Sequence, residues 1–124
     1  MNAVLHTWIE RVNAGDLEGV LEMYDDSAIL LPTFSPQQIT TKAAIRAYFE
    51  NLAAKAALKV QLHPETLNEY LAGEGFECVS GHYTFSYEAE GKIQSFASRF
   101  TFVINTVKDH PIIHHHSSQV PQPH

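Results

Sequence analysis

The feature that most constrains this chain is a change of period near residue 57. Before it, apolar residues recur at helical spacing. After it, they alternate at spacing two. Val4, Leu5, Trp8, Ile9 and Val12 form one amphipathic stripe over residues 2–14, stopped at Gly15. Asp16 is positioned to cap a short second helix over 17–24, with Leu17, Val20, Leu21 and Tyr24 on one side. Asp25-Asp26-Ser27 reads as its stop, and Ala28 to Leu31 as a short strand ended by Pro32. A third stripe, Ala44, Ile45, Tyr48, Phe49, Leu52 and Ala56, predicts a helix over 42–56 capped by Thr40 or Thr41. From Leu58 onward the pattern is strand, turn, strand: 58–71 with a break or bulge at Pro64, 76–88, the run through Ile104, and the run from Ile112. Helices followed by strands predict an α+β fold, with the helices on one face of a curled antiparallel sheet. Residues 1–124 read as a single domain, with no internal repeat or low-complexity linker.

Composition removes several function classes. The formal net charge of −6, from 8 basic and 14 acidic residues, argues against a nucleic-acid groove or an anionic membrane surface as partner. The N-terminus has no basic start and apolar run of a signal peptide, and no apolar run approaches a membrane span, so the expected compartment is the cytoplasm. Cys78 has no second cysteine to pair with and lies in an apolar strand pattern, where a buried thiol is expected.

The chemistry-bearing stretch is residues 96–118, FASRFTFVINTVKDHPIIHHHSS. Alternation puts Phe96, Ser98, Phe100, Phe102 and Ile104 on one face, and Arg99, Thr101 and Val103 on the other. In the preceding strand Val79, Gly81, Tyr83, Phe85 and Tyr87 oppose Cys78, Ser80, His82 and Thr84. One sheet face is therefore aromatic and the other mixed. A guanidinium in mid-strand is costly to bury without a partner. On that argument Arg99 either pairs with a core carboxylate or carbonyl groups or meets an anionic ligand, and Arg99, Thr101, His82, His114 and His116, with the Tyr48 phenol from the third helix, are expected to line a cavity under the helices. Tyr83, Phe85, Phe100 and Phe102 are then expected to face outward as an interface with a second copy. Strand period puts His115 on the face opposite His114 and His116. His114 and His116 could offer two metal ligands, but no third has recognisable spacing, so neither a metal nor another cofactor is expected.

Three motifs carry a resemblance. They are Gly15-Asp16 before the second helix, Arg46-Ala47-Tyr48-Phe49-Glu50-Asn51-Leu52 at the end of the third, and Ser98-Arg99-Phe100 followed by His114-His115-His116-Ser117-Ser118 and Pro121. Over roughly residues 10–121 the chain resembles the association domain of calcium/calmodulin-dependent protein kinase II and its small stand-alone bacterial relatives, within the nuclear transport factor 2-like superfamily. The resemblance implies a cystatin-like cone and an assembly and ligand-pocket module. It implies a homodimer or larger symmetric oligomer, and a small, anionic or carboxylate ligand held near Arg99. No Gly-rich loop, HRD or DFG segment is present, so kinase activity is not expected.

The competing reading is an enzyme of the ketosteroid-isomerase, dehydratase or polyketide-cyclase type, or a natural-product oxidoreductase relative. Those chemistries need a positioned base. In the isomerases that resemble this fold, an Asp ends the first short strand. Here that place reads Leu30-Leu31-Pro32, and no dinucleotide fingerprint is found, so no catalytic residue is assigned.

Overall fold

The computed structural model describes residues 2–121. Helix α1 spans Ala3–Asn13, α2 Leu17–Glu22 and α3 Lys42–Ala53. Each begins on the polar side chain that its position requires. Asn2, Asp16 and Thr41 accept hydrogen bonds from the backbone N–H groups of Leu5, Gly19 and Ala44. The strands are β1 Tyr24–Leu31, β2 Ala56–Gly73, β3 Phe76–Ala89, β4 Lys92–Asn105 and β5 Ile112–Gln119. They form one sheet in the order β1-β5-β4-β3-β2, with β1 parallel to β5 and the remaining pairs antiparallel.

The fold class is α+β, as the change of period predicts. Some boundaries differ: α2 stops at Glu22 with Tyr24 already in β1, and α3 stops at Ala53 with Ala56 opening β2. Asp25-Asp26-Ser27 does not stop the chain but lies inside β1, where a register shift between Tyr24 and Ile29 absorbs these residues. Pro64 lies in a bulge of β2, one of the two outcomes expected there. The strand runs through a bulge between His63 and Asn68, and Thr66 Oγ1 takes the His82 N–H that a ladder partner would have taken. Between β3 and β4 the turn Glu90-Gly91 has both φ values positive, 54° and 75°, the two-residue hairpin geometry that matches strand twist.

The core joins the helix stripes to one face of the sheet. Leu5, Trp8 and Val12 of α1 and Ile45, Phe49 and Leu52 of α3 bury against Val79, Tyr83, Phe85, Phe100, Phe102 and Ile104. The Trp8 ring stacks on Tyr83 at 5.8 Å and meets Phe102 edge-on at 5.4 Å. This reverses the two faces expected from the sequence. Tyr83, Phe85, Phe100 and Phe102 point inward and are at most 3% exposed. The physical reason is the larger hydrophobic gain. Four aromatic side chains each remove about 150–250 Å² from water, which a face of Ser, Thr, His and Arg cannot match.

The other face looks to solvent, and its residues line up in rows across the strands. Ile29, His114, Val103, Cys78 and Tyr70 form one row through all five strands. Leu31, His116, Thr101, Ser80 and Asn68 form the next, and Ser118, Arg99, His82 and His63 a third over four strands. Cys78 is buried within the first row, as its apolar pattern predicts.

Candidate functional site: a buried hydrogen-bond chain beneath the helices

The inner face is not wholly apolar. A bulge at Ile113, between the pairs Ile104–Ile112 and Val103–His114, keeps Ile112 in the core yet sends His114 outward and His115 inward. His115 is 2% exposed, opposite Phe102 in register and stacked on it with ring centroids 3.8 Å apart. Ser117 follows on the same face, opposite Phe100.

These two residues sit in a continuous chain of hydrogen bonds through the core. Trp8 Nε1–H donates to Tyr24 Oη at 3.0 Å. Tyr24 Oη lies 2.8 Å from His115 Nδ1, and His115 Nε2 lies 3.1 Å from Tyr83 Oη. Tyr83 donates to Ser117 Oγ at 2.7 Å, and Ser117 is hydrogen-bonded to Thr33 Oγ1 beyond β1.

The directions follow from the indole, which can only donate, and from the need of each buried hydroxyl proton for an acceptor. Tyr24 accepts from Trp8, so its own proton goes to His115 Nδ1. A neutral imidazole that accepts at Nδ1 carries its proton on Nε2 and donates it to Tyr83. Tyr83 donates to Ser117. Either hydroxyl of the Ser117–Thr33 pair can donate, and the buried Ser117 proton has no other acceptor among the described residues, which assigns the donor to Ser117. All protons point one way, from the helix α1 end toward Thr33.

Burial enforces neutrality along the chain. It pulls the His115 pKa from 6.5 down to about 3, with the neighbouring His114 and His116 adding to the shift. It pushes the phenols of Tyr24 and Tyr83 well above the ordinary tyrosine value. His115 is a poor general base, because both ring nitrogens are committed and protonation is strongly disfavoured.

The chain ends at a small cavity of about 10 Å³, lined by Thr33, Tyr48, Ser117, Tyr83 and neighbours, which is roughly the space of one water. Tyr48 and Leu52 divide it from an open groove of about 470 Å³ bounded by Phe34, Ile39, Ala44, Ala47, Asn51 and Lys55. The Tyr48 hydroxyl accepts from the Phe34 N–H at 3.4 Å, and desolvation raises its pKa to about 12. Among the described residues, no carboxylate lines either space.

Of the residues that the sequence singles out for the pocket, Tyr48 alone lies at this cavity. Arg99, Thr101, His82, His114 and His116 lie together on the outer face. Arg99, His82 and His116 are exposed there, and Thr101 and His114 are half-buried. The correction has one cause. An arginine that reaches water needs no buried partner, so the strand turns its charge outward and its phenylalanines inward. The residues missed are Trp8, Tyr24, Thr33, His115 and Ser117. A signal was present for two of them: His115 and Ser117 alternate in step with the strand face that opposes Phe102 and Phe100.

Comparison with known proteins agrees with this architecture. The family model for the calcium/calmodulin dependent protein kinase II association domain matches residues 1–121. A Xanthomonas campestris protein described as such an association domain superposes with a TM-score of 0.85 at 28% identity, covering 98% of this chain and 86% of that one. A cystatin-like-fold protein of Caulobacter vibrioides matches at TM-score 0.78 and 14% identity, over 96% of this chain and 86% of that one. A nuclear transport factor 2-like protein with a cystatin-like fold from Novosphingobium aromaticivorans matches at TM-score 0.76 and 13% identity, over 97% and 79%. The last two share the fold alone. With helices closed over the aromatic face of a five-stranded cone and the family match running through nearly its whole length, the chain belongs to the calcium/calmodulin dependent protein kinase II association domain family.

Proposed function

We propose that this chain is a self-associating module of the cytoplasm that holds a small molecule in the groove and cavity at α3 and does not transfer phosphoryl groups. The observation that carries self-association is the row Ile29, His114, Val103, Cys78 and Tyr70, which crosses all five strands on the face without helices. Tyr70 is 59% exposed, and Ile29 and Val103 are half-buried. A second copy packed across this row would remove apolar surface from water, while Arg99, His82 and His63 would lie at the rim. The family's description as an association domain supports the same reading. No helix among the described residues is long and apolar enough to cross a membrane.

The ligand half of the proposal differs in kind from the sequence expectation. An anionic or carboxylate ligand is attractive only with Arg99 inside the cone, and the cavity wall offers hydroxyl groups instead.

Multi-angle light scattering at micromolar concentration tests the assembly. The expected mass is a multiple of the 13.9 kDa chain. Val103→Glu, which places a carboxylate in the middle of the row, is expected to return the mass to one chain with the helical signal intact. A wild-type chain that weighs 13.9 kDa under these conditions ends the self-association reading.

A further inference from the structure

The one-way hydrogen-bond chain has a consequence at its open end. Ser117 spends its proton on Thr33, so the Thr33 O–H is left to donate elsewhere. Tyr48 stands in the same position. Its oxygen accepts from the Phe34 N–H, and among the described residues its own proton has no acceptor. Both residues line the cavity of about 10 Å³, and Tyr48 also forms the wall of the 470 Å³ groove outside it. Two residues with a hydroxyl proton to give thus share one cavity beside a groove walled by Phe34, Ile39, Ala44, Ala47 and Leu52.

We propose that the groove and cavity bind a neutral carbonyl compound with a compact apolar body, whose oxygen accepts hydrogen bonds from Thr33 and Tyr48. The proposal rests on the small-molecule half of the reading above and is independent of self-association.

Three physical arguments select this ligand class. An acceptor suits the site, because the polarity of the chain leaves two hydroxyl protons without a partner among the described residues. A single oxygen is the right size, since the inner space holds about one water. Neutrality follows from the wall. The groups around the inner cavity are aromatic, aliphatic and hydroxyl, with a histidine that burial keeps uncharged. A carboxylate there would lose its hydration with no cation to offset the cost. The Lys55 ammonium belongs to the outer groove and sits 4.4 Å from the centroid of the Tyr87 ring. The body of the ligand would bury its apolar surface in the groove, whose volume lies in the range usual for small-molecule sites. Tyr48 and Leu52, which belong to both spaces, would have to shift for the oxygen to pass.

The test uses 1-indanone and indane, the same ring system with and without the carbonyl. Titration followed by amide chemical shifts is expected to place 1-indanone at residues 33–39 and 44–55, with indane binding at least about tenfold more weakly. Thr33→Val and Tyr48→Phe are each expected to weaken 1-indanone by about five- to tenfold and to leave indane unchanged, while Thr33→Ser keeps wild-type affinity. Nitrogen shifts of the His115 ring are expected to show the proton on Nε2. Equal binding of the two compounds overturns the carbonyl inference and leaves a simple apolar pocket. Binding of neither overturns the pocket as well. A proton on Nδ1 of His115 overturns the donor polarity on which the inference stands. Loss of amide dispersion in a variant is controlled by the tautomer measurement, which needs only the wild-type protein.

Discussion

Replacing His115 with leucine is expected to destabilise the fold by about 3 kcal/mol, measured by urea denaturation. The side chains are similar in volume, so the cost is not a cavity. It comes from the groups on either side of the ring. The Tyr24 proton loses its only acceptor, and Tyr83 loses the donor on its oxygen, both inside the core. A buried donor without a partner costs about 1–3 kcal/mol. The stack on Phe102 at 3.8 Å is also lost, and leucine returns part of the total through its greater hydrophobicity. Tyr24→Phe attacks the same chain one step earlier. It orphans the Trp8 N–H and the His115 Nδ1, and is expected to cost about 2–3 kcal/mol. The two substitutions share a bond, so the double variant should be less destabilised than the sum by about 1–2 kcal/mol. Strict additivity in that double-mutant cycle would mean that Tyr24 and His115 are not coupled, and the chain would not be continuous.

The same residues show what was legible from sequence. The period change near residue 57 places all three helices, because an amphipathic stripe is a local property that tertiary packing only selects. The strands are nearly as plain, apart from β1, where Asp25, Asp26 and Ser27 have the composition of a turn and the pairing of a strand. Parallel pairing of β1 with β5 is non-local and leaves no mark at either site. The pairing of Phe100 and Phe102 with Tyr83 and Phe85 as one aromatic face was legible too. Which way that face looks was legible in principle, and a charge misled the assignment. Arg99 draws attention to a pocket only if it is buried, whereas the aromatic residues bury with more certainty. Weighing apolar area before charge gives the correct side. The hydrogen-bond chain was harder. Trp8, Tyr24, Thr33, Tyr83 and Ser117 come from four elements and a loop, and nothing in their spacing announces that His115 joins them. The one local hint, a histidine between two others on an alternating strand, fixes its face but not its partners.

Acid should unfold this protein earlier than its carboxylates alone would require. The folded-state pKa of His115 is about 3, against 6.5 for an unburied histidine, and the leading cause is burial. A folded-state value below the unfolded one means that the unfolded chain binds the proton more readily. The stability that depends on a neutral His115 is therefore fully present above about pH 6.5, falls by about 1.4 kcal/mol per pH unit below it, and stops falling near pH 3. Between pH 6 and pH 4 the loss is about 2.5 kcal/mol. The groups packed around the ring do not relieve it. Tyr24, Tyr83, Trp8 and Phe102 carry no negative charge, and the adjacent His114 and His116 lower the His115 value further. His114 contributes in the same direction, since burial and then the His116 charge lower its pKa as well. The acidic groups act in a different window. Glu18, Asp25 and Asp26 are held below their usual values by bonds to Arg46, Lys108 and Lys42, so their share is present above the ordinary carboxylate range and is lost only as pH falls below about 4.5. Urea denaturation at half-unit steps from pH 7 to pH 5 thus reads the histidines nearly alone. His115→Asn keeps an acceptor near the Tyr24 hydroxyl but cannot protonate, and is expected to start less stable and to lose most of the slope. His114→Gln is expected to keep most of it. A wild-type stability that stays flat from pH 6.5 to pH 5 would mean that water or a carboxylate reaches His115, and that the core around it is not closed.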